Sequence, residues 1–356
     1  MTMTMDGVET PSAMRERDGL KYPFPERPAP GRTIEVAPGV HWIRLPLSFQ
    51  LNHINVWLVE DGKGWAVVDT GINADDSKEL WRQVFDHLGG RPVTRVLVTH
   101  LHPDHVGLAG WLTEKFDVPL YMSRTDYLLC RTLVMDTGEP APEEGVRFYK
   151  AAGFSDKGLE MYRTRFGGFG AGVYRLPLSY HRLVEGQEIV IGKHRWRVVV
   201  GRGHAPEHAC LWCPELKLMI SGDQILPRIS SNVSVFPTEP EANPLEEWLD
   251  SCKHLRKLIP DETLICPSHN EPFYGVKMRL TQLIDGHEEG MTKMLELCAT
   301  PKRAVEFFPA LFRAKITAGN YGMATGESLA HLNCLIARGK ITRTRDAGGV
   351  DWYQRV

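Results

Sequence analysis

The nine residues THLHPDHVG at 99–107 constrain this chain more than any other stretch. They follow the apolar run Val96-Leu97-Val98 and crowd His100, His102, Asp104 and His105 into six positions. Neighbouring imidazoles repel when protonated, so such a cluster needs its rings neutral and their lone pairs shared. A metal ion does this, and zinc takes imidazole nitrogens and carboxylate oxygens while keeping one position for water. His100 and His102 lie two apart at a strand end and can point the same way. Asp104 and His105 follow across a tight turn made by Pro103. Because neighbouring side chains diverge there, one loop can serve two metals, but it cannot complete both shells. Further ligands must come from other strand ends.

The sequence offers three. VVVGRGHAPEH places His204 just after an apolar strand, LMISGDQIL places Asp223 after another, and TLICPSHNEP places His269 after a third. Gly222 lets the backbone come close beside Asp223. Each candidate sits at the C-terminal end of a strand, where layered α/β sheets collect their sites. His208 lies beyond the ligand position and is expected to support or pack. His53, His87, His181, His194, His254, His287 and His331 have no motif around them and are read as structural.

The surrounding pattern is α/β. GVHWIRLPL, INVWLVE and GWAVVD are short β-branched and aromatic runs, the last two joined by a hairpin at Asp61-Gly62. Helical spacing over 77–88, a strand at 94–99, a helix over 105–116 and the strand VPLYM give strand-helix-strand. Residues 123–180 break this rhythm and read as a helical insertion, rich in Tyr, Arg and Phe, that caps a site or is merely a surface excursion. Residues 1–33, with four prolines in the nine residues YPFPERPAP, predict an extended surface lead-in. The catalytic region then spans 34–273. From 274 to 356 the pattern is mostly helical: a long helix over 274–298, one starting at Thr300-Pro301, and one ending at Gly339. Two strands around Ala-Gly-Gly close the chain, a winged-helix-like arrangement.

The set HxHxDH, then H, D and H in order, resembles the metallo-β-lactamase superfamily, over roughly residues 39–273. The resemblance implies an αββα sandwich. It implies a first zinc on His100, His102 and His204, and a second on Asp104, His105 and His269, with Asp223 bridging both. Asp69 in VVDTG matches a family carboxylate that orients a ligand histidine. Iron or manganese are the alternative metals. The tail resembles the C-terminal appendage of the lactamase-β-2 group, some members of which are endoribonucleases.

Two zinc ions about 3.5–4 Å apart can share a hydroxide that is formed near neutral pH and attacks a polarised carbonyl or phosphate. Asp104 and Asp223 are the residues expected to act in catalysis. The expected reaction is hydrolysis of a small-molecule thioester, ester or lactone, as in the glyoxalase-II-like lineage. Arg228, Ser230, Ser231 and Asn232 would line the substrate pocket. The alternative is cleavage of single-stranded RNA. Against it, the whole chain carries a net charge of -2, and from residue 280 onward ten Lys or Arg face only eight Asp or Glu. For it, Arg338, Lys340, Arg343 and Arg345 gather near the final hairpin. A non-catalytic metal or nucleic-acid binder is the third reading.

No stretch approaches about 18 consecutive apolar residues, so no membrane span or membrane partner is expected. Residues 1–21 lack the apolar segment of a signal peptide. Seven cysteines scattered along the chain suit reduced thiols and a cytoplasmic setting. Apolar faces of the tail helices would suit a homodimer contact.

Overall fold

The computed structural model describes residues 14–48 and 51–356. A small hairpin of β1 (Arg15–Arg17) and β2 (Leu20–Tyr22) comes first. β3 (Ile34–Ala37), β4 (Val40–Pro46), β5 (His53–Asp61) and β6 (Gly64–Val68) then form an antiparallel meander. The turn from β5 to β6 falls at Asp61–Gly64, as the Asp-Gly pair predicts. α1 (Asp75–His87) crosses to β7 (Val93–Leu97). α2 (Pro103–Val106) and α3 (Ala109–Phe116) cross to β8 (Leu120–Met122). β6, β7, β8 and β9 (His181–Arg182) run parallel.

The single helix expected over 105–116 is two helices. The Leu108 N–H is claimed by the Gly71 carbonyl at 3.1 Å and the Thr70 hydroxyl at 3.0 Å, so it is lost to the helical ladder. At Gly107 three backbone carbonyls lie within 2.6 Å of where a Cβ would stand, so only glycine passes this crossing.

Between β8 and β9 lies the helical insertion: α4 (Arg124–Met135), α5 (Glu143–Ala151), α6 (Asp156–Arg165) and a 3-10 turn at Gly168–Gly172. β10 (Glu188–Ile191), β11 (His194–Gly201), β12 (His208–Cys213), β13 (Leu218–Gly222), α7 (Pro244–Leu258) and β14 (Leu264–Pro267) follow. Strands β3–β9 make a seven-stranded sheet and β10–β14 a five-stranded one. Their facing sides share a core of Trp42, Trp57, Trp196, Leu211 and Ile220. α1 and α3 cover the first sheet's outer face through Trp81, Phe85 and Leu112. α7 and the C-terminal helices cover the second through Trp248, Leu280 and Leu332. This is the αββα sandwich.

The tail comprises α8 (Val276–Leu297), a 3-10 turn at Ala304–Phe307, α9 (Phe308–Leu311), α10 (Tyr321–Ala337) and a hairpin of β15 (Ile341–Arg345) with β16 (Asp351–Arg355). The helix expected at Thr300-Pro301 starts later. Lys302 exchanges two backbone hydrogen bonds with Tyr353, which keeps the chain extended there, and the Glu306 carboxylate then caps the turn at the Arg303 N–H. α10 is buried nearly all round, and its core is continuous with that beneath the second sheet.

The described part of the lead-in, 14–33, is mostly exposed but is tied down at Leu20–Tyr22; residues 1–13 lie outside the described residues. Leu20 and Tyr22 are buried, Lys21 pairs with Tyr274 through two backbone bonds, and Phe24 packs edge-on against Trp42. The apolar residues before the prolines pack with Phe273 and Val276, at the junction between β14 and α8. Leu20→Ala should therefore cost about 2–5 kcal/mol, the range for a buried leucine. A loss below about 0.5 kcal/mol in urea unfolding, the surface value, would return the segment to a passive lead-in.

Candidate metal centre

The centre forms where the C-terminal ends of β6, β7, β11, β13 and β14 meet at one edge of the sandwich. Asp69 follows β6 in a left-handed conformation, φ +58°, unusual for a residue with a Cβ. That bend aims its buried carboxylate at the next strand end. Asp69 accepts the Thr99 N–H and the Thr99 hydroxyl, each at 2.8 Å, and faces His105 Nδ1 at 2.8 Å. Trp81 on α1 donates to the Thr70 carbonyl, and Thr70 in turn donates to the His105 carbonyl. The loop carrying the histidines is thus fixed from the helix layer inward.

His100 Nε2, His102 Nδ1 and His204 Nε2 form a triangle with edges of 2.8, 3.1 and 3.2 Å. Ligand nitrogens about 2.0–2.1 Å from a tetrahedral zinc would be about 3.3 Å apart. The second group is His105, His269 and Asp104. Asp104 Oδ2 lies 3.8 Å from His105 Nε2 and 3.5 Å from His269 Nε2. Asp223 stands between the groups. Its Oδ2 is 3.4 Å from His204 Nε2, and its Oδ1 is 3.5 Å from both His105 Nε2 and His269 Nε2. All seven sequence-predicted ligand positions therefore converge.

Whether these residues fit a metal can be tested on their own atoms. His105 Nε2, His269 Nε2 and Asp223 Oδ1 are buried with no hydrogen-bond partner. Buried polar atoms are rarely left so. The rear nitrogens are engaged: His105 Nδ1 with Asp69, His204 Nδ1 donating to the Asn232 carbonyl at 2.7 Å, and His269 Nδ1 to the His53 carbonyl at 2.9 Å. Each bond turns a bare Nε2 lone pair toward the centre, as metal-bound imidazoles require. Electrostatics agree. Burial, then neighbouring histidines, holds His100 and His102 well below the usual histidine range. Burial also pulls His105 and His269 down, but Asp223 and Asp104 outweigh it and raise both. Burial pushes Asp223 up, and His269 and His105 overcome it to hold the carboxyl well below its usual range. The donor set calls for positive charge at its middle.

The structure gives supporting residues that the sequence reading passed over. Asp126, at the start of α4, accepts the Leu101 N–H at 3.1 Å and the Glu207 N–H at 2.8 Å, joining the two ligand loops. No motif marked it; its only signal is an acid three residues after Ser123, whose hydroxyl it also accepts. His53, read as structural, supplies the His269 acceptor and takes the Asn270 N–H. His208 accepts the Asp223 N–H at 3.0 Å and stacks on His100. Gly222 lies at φ +54°, where a Cβ would meet the His208 ring at 2.5 Å. The end of the insertion clamps the ligand loop: Tyr174 N–H donates to the Gly107 carbonyl and Asn73 N–H to that of Gly172.

The four expected pocket residues are all engaged with the protein. Arg228 donates to Glu271 at 2.6 Å. The Ser230 hydroxyl meets His287 Nε2 at 2.9 Å, and the Ser231 hydroxyl donates to the Asp223 carbonyl. The Asn232 amide donates to Glu327 on α10 at 2.7 Å, so this side chain faces the tail helices while its carbonyl holds His204.

Residues 50–269 match the metallo-beta-lactamase superfamily model, and 291–356 match a metallo-beta-lactamase-like C-terminal domain. A beta-lactamase domain protein from Burkholderia ambifaria, known from its crystal structure, is 42% identical, covers 95% of this chain and 98% of its own, and superposes with a TM-score of 0.86. A probable metallo-hydrolase of Bacillus subtilis (strain 168), YqjP, is 24% identical over 84% of this chain and 93% of its own. The acyl-coenzyme A thioesterase MBLAC2 of Gallus gallus is 26% identical over 73% of this chain and 88% of its own. With the ligand geometry above, these matches establish that the chain belongs to the metallo-β-lactamase superfamily and is a metallo-hydrolase.

Proposed function

We propose that this protein is a dinuclear zinc hydrolase of small-molecule thioesters, with esters and lactones as chemical neighbours. The observation that carries the reading is Asp223, whose two oxygens face two different donor groups. Two zinc ions held by these groups would supply a hydroxide nucleophile at neutral pH and a Lewis acid for the carbonyl oxygen. The chain's own residues hold and orient. Asp69 keeps the proton of His105 on Nδ1. His208 fixes the backbone of Asp223. Asp104 would complete the second donor group through Oδ2, beside His105 and His269. The end of the insertion bonds to Gly107, and α10 bonds to Asn232.

Support for a thioester comes from the thioesterase relatives and from the fate of the tail's arginines. Arg338 is paired with Glu246 and Glu288, Arg343 with Glu241, and Arg345 with Asp351. The expected basic cluster for RNA is thereby largely neutralised. Seven buried thiols, none paired among the described residues, support a reducing compartment, and we place the protein in the cytoplasm. No helix of the described residues is long and apolar enough to cross a membrane.

Turnover on acyl thioesters, esters and lactones, run beside labelled single-stranded RNA, tests the reading, with Asp104→Ala as the contamination control. Thioester cleavage lost in the variant is expected; variant-sensitive RNA cleavage alone overturns it. Asp223→Ala should retain at most one metal equivalent by elemental analysis and lose a hundredfold or more, about, in kcat/KM. Two retained equivalents with an unchanged rate would remove Asp223 from the bridge. Asp69→Ala should weaken metal binding about 10–100-fold in a chelator competition, with the fold retained by circular dichroism.

A further inference from the structure

Beside the His269 face of the centre, four charged side chains make a cluster that the donor set does not use. Glu271, two residues after His269, is fully buried. Arg27 from the lead-in donates to its Oε1, through Nε at 2.9 Å, and Arg228 donates to its Oε2 at 2.6 Å. Both carboxylate oxygens are therefore taken. Arg44 is the fourth member. It lies on β4 opposite Asn55, whose amide donates to the carbonyls of Pro267 and Asn270 on either side of His269. Strand alternation puts Arg44 on the same face as Val40 and Trp42, the face between the sheets.

Arg44 is half-buried, and among the described residues its guanidinium has no hydrogen-bond acceptor and no ion-pair partner, yet its nitrogens are not sealed from solvent. Burial, and then Arg27, lowers its pKa, while Glu271 alone opposes them. Three guanidinium groups around one carboxylate leave the cluster with two uncompensated positive charges. Arg27 remains half-exposed, so the cluster opens to solvent. Guanidinium donors in a fixed fork are suited to phosphate and carboxylate oxygens.

We propose that Arg44, with Arg27 and Arg228 held by Glu271, forms an anion subsite that takes a phosphate or carboxylate group of the substrate. The subsite rests on the thioesterase reading only for the identity of the substrate that carries the anion. It assigns the metal centre to thioesters with an anionic arm on the His269 side. Arg44 is the donor still free to bind, and Glu271 keeps the two flanking arginines from swinging to solvent.

The test compares wild type with R44Q on three substrates: butyryl-coenzyme A, whose thiol half carries phosphates; glutaryl-pantetheine, with a carboxylate on the acyl half; and neutral butyryl-pantetheine. The expected result is a fall of about tenfold in the ratio of kcat/KM for one anionic substrate over the neutral one, carried by KM. A fall with coenzyme A alone assigns the subsite to the phosphates, and a fall with glutaryl-pantetheine alone assigns it to an acyl carboxylate. Unchanged ratios for both overturn the proposal. Calorimetric titration of inorganic phosphate into the metal-loaded enzyme is the independent readout, expected to weaken about tenfold in R44Q. Equal affinity in the two proteins places the anion on the metals or the general surface and also overturns the subsite. Absence of turnover on every thioester would refute the thioesterase reading, leaving the phosphate titration to decide the subsite by itself. Thermal unfolding of R44Q guards against a misfolded variant.

Discussion

The carboxylate of Asp69 is the interaction on which the centre depends. It has no solvent contact and three hydrogen-bond partners, all on the segment that follows β7. It therefore locks the ends of two parallel strands in register while it fixes one imidazole. The left-handed backbone at Asp69 costs of order 1–3 kcal/mol, which the surrounding bonds must offset. Around it the fold keeps Nε2 of His105, Nε2 of His269 and Oδ1 of Asp223 buried and unpartnered. A chain stabilised only by its own contacts would not gather such atoms; they belong to a site completed by a cation.

Much of this was legible in the sequence because strand ends are local. His100, His102, Asp104 and His105 sit within six residues, and His204, Asp223 and His269 each follow a short apolar run that reads as a buried strand. The αββα layering follows from the same alternation of runs and amphipathic segments. What was not legible depends on pairs far apart in the chain. Asp126 lies between two ligand loops only because α4 begins beside them. Leu20 and Tyr22 look like part of a proline-rich leader until Tyr274, between β14 and α8, offers the segment an edge. The helix break at Gly107–Leu108 is set by Thr70 and Gly71, more than thirty residues upstream, so local periodicity runs straight through it.

The segment after Asp223 has a part in holding the fold besides any contact with substrate. Arg228, Ser230, Ser231 and Asn232 are polar and follow a ligand, the usual signs of substrate contact. In the folded chain they tie the ligand loops to three distant elements: Glu271 beside His269, His287 on α8 and Glu327 on α10. His287 also meets His331 at 3.2 Å, so the two tail helices share one buried polar chain. Burial holds His287 at about 3 and His331 at about 4, and it pushes the Glu327 carboxyl up to about 7. Near neutral pH both imidazoles are thus neutral, and Glu327 is the member of the network that can still carry charge there.

That network changes what the tail is. A module packed only against the outside could be removed with modest loss, since its interface would resemble that between independent domains. Here α10 reaches the metal centre through Glu327, the Asn232 amide and the carbonyl that holds His204. The insertion meets the same tail: Phe154 and Tyr162 cluster with Val305 and Tyr321, and Arg165 donates to the Ala318 carbonyl. Two sequence-distant additions to the sandwich therefore pack on each other and on the ligand loops, one gripping Gly107 and the other Asn232. The position of His204 therefore depends on a residue of the tail, through Asn232, as well as on the strand that delivers it.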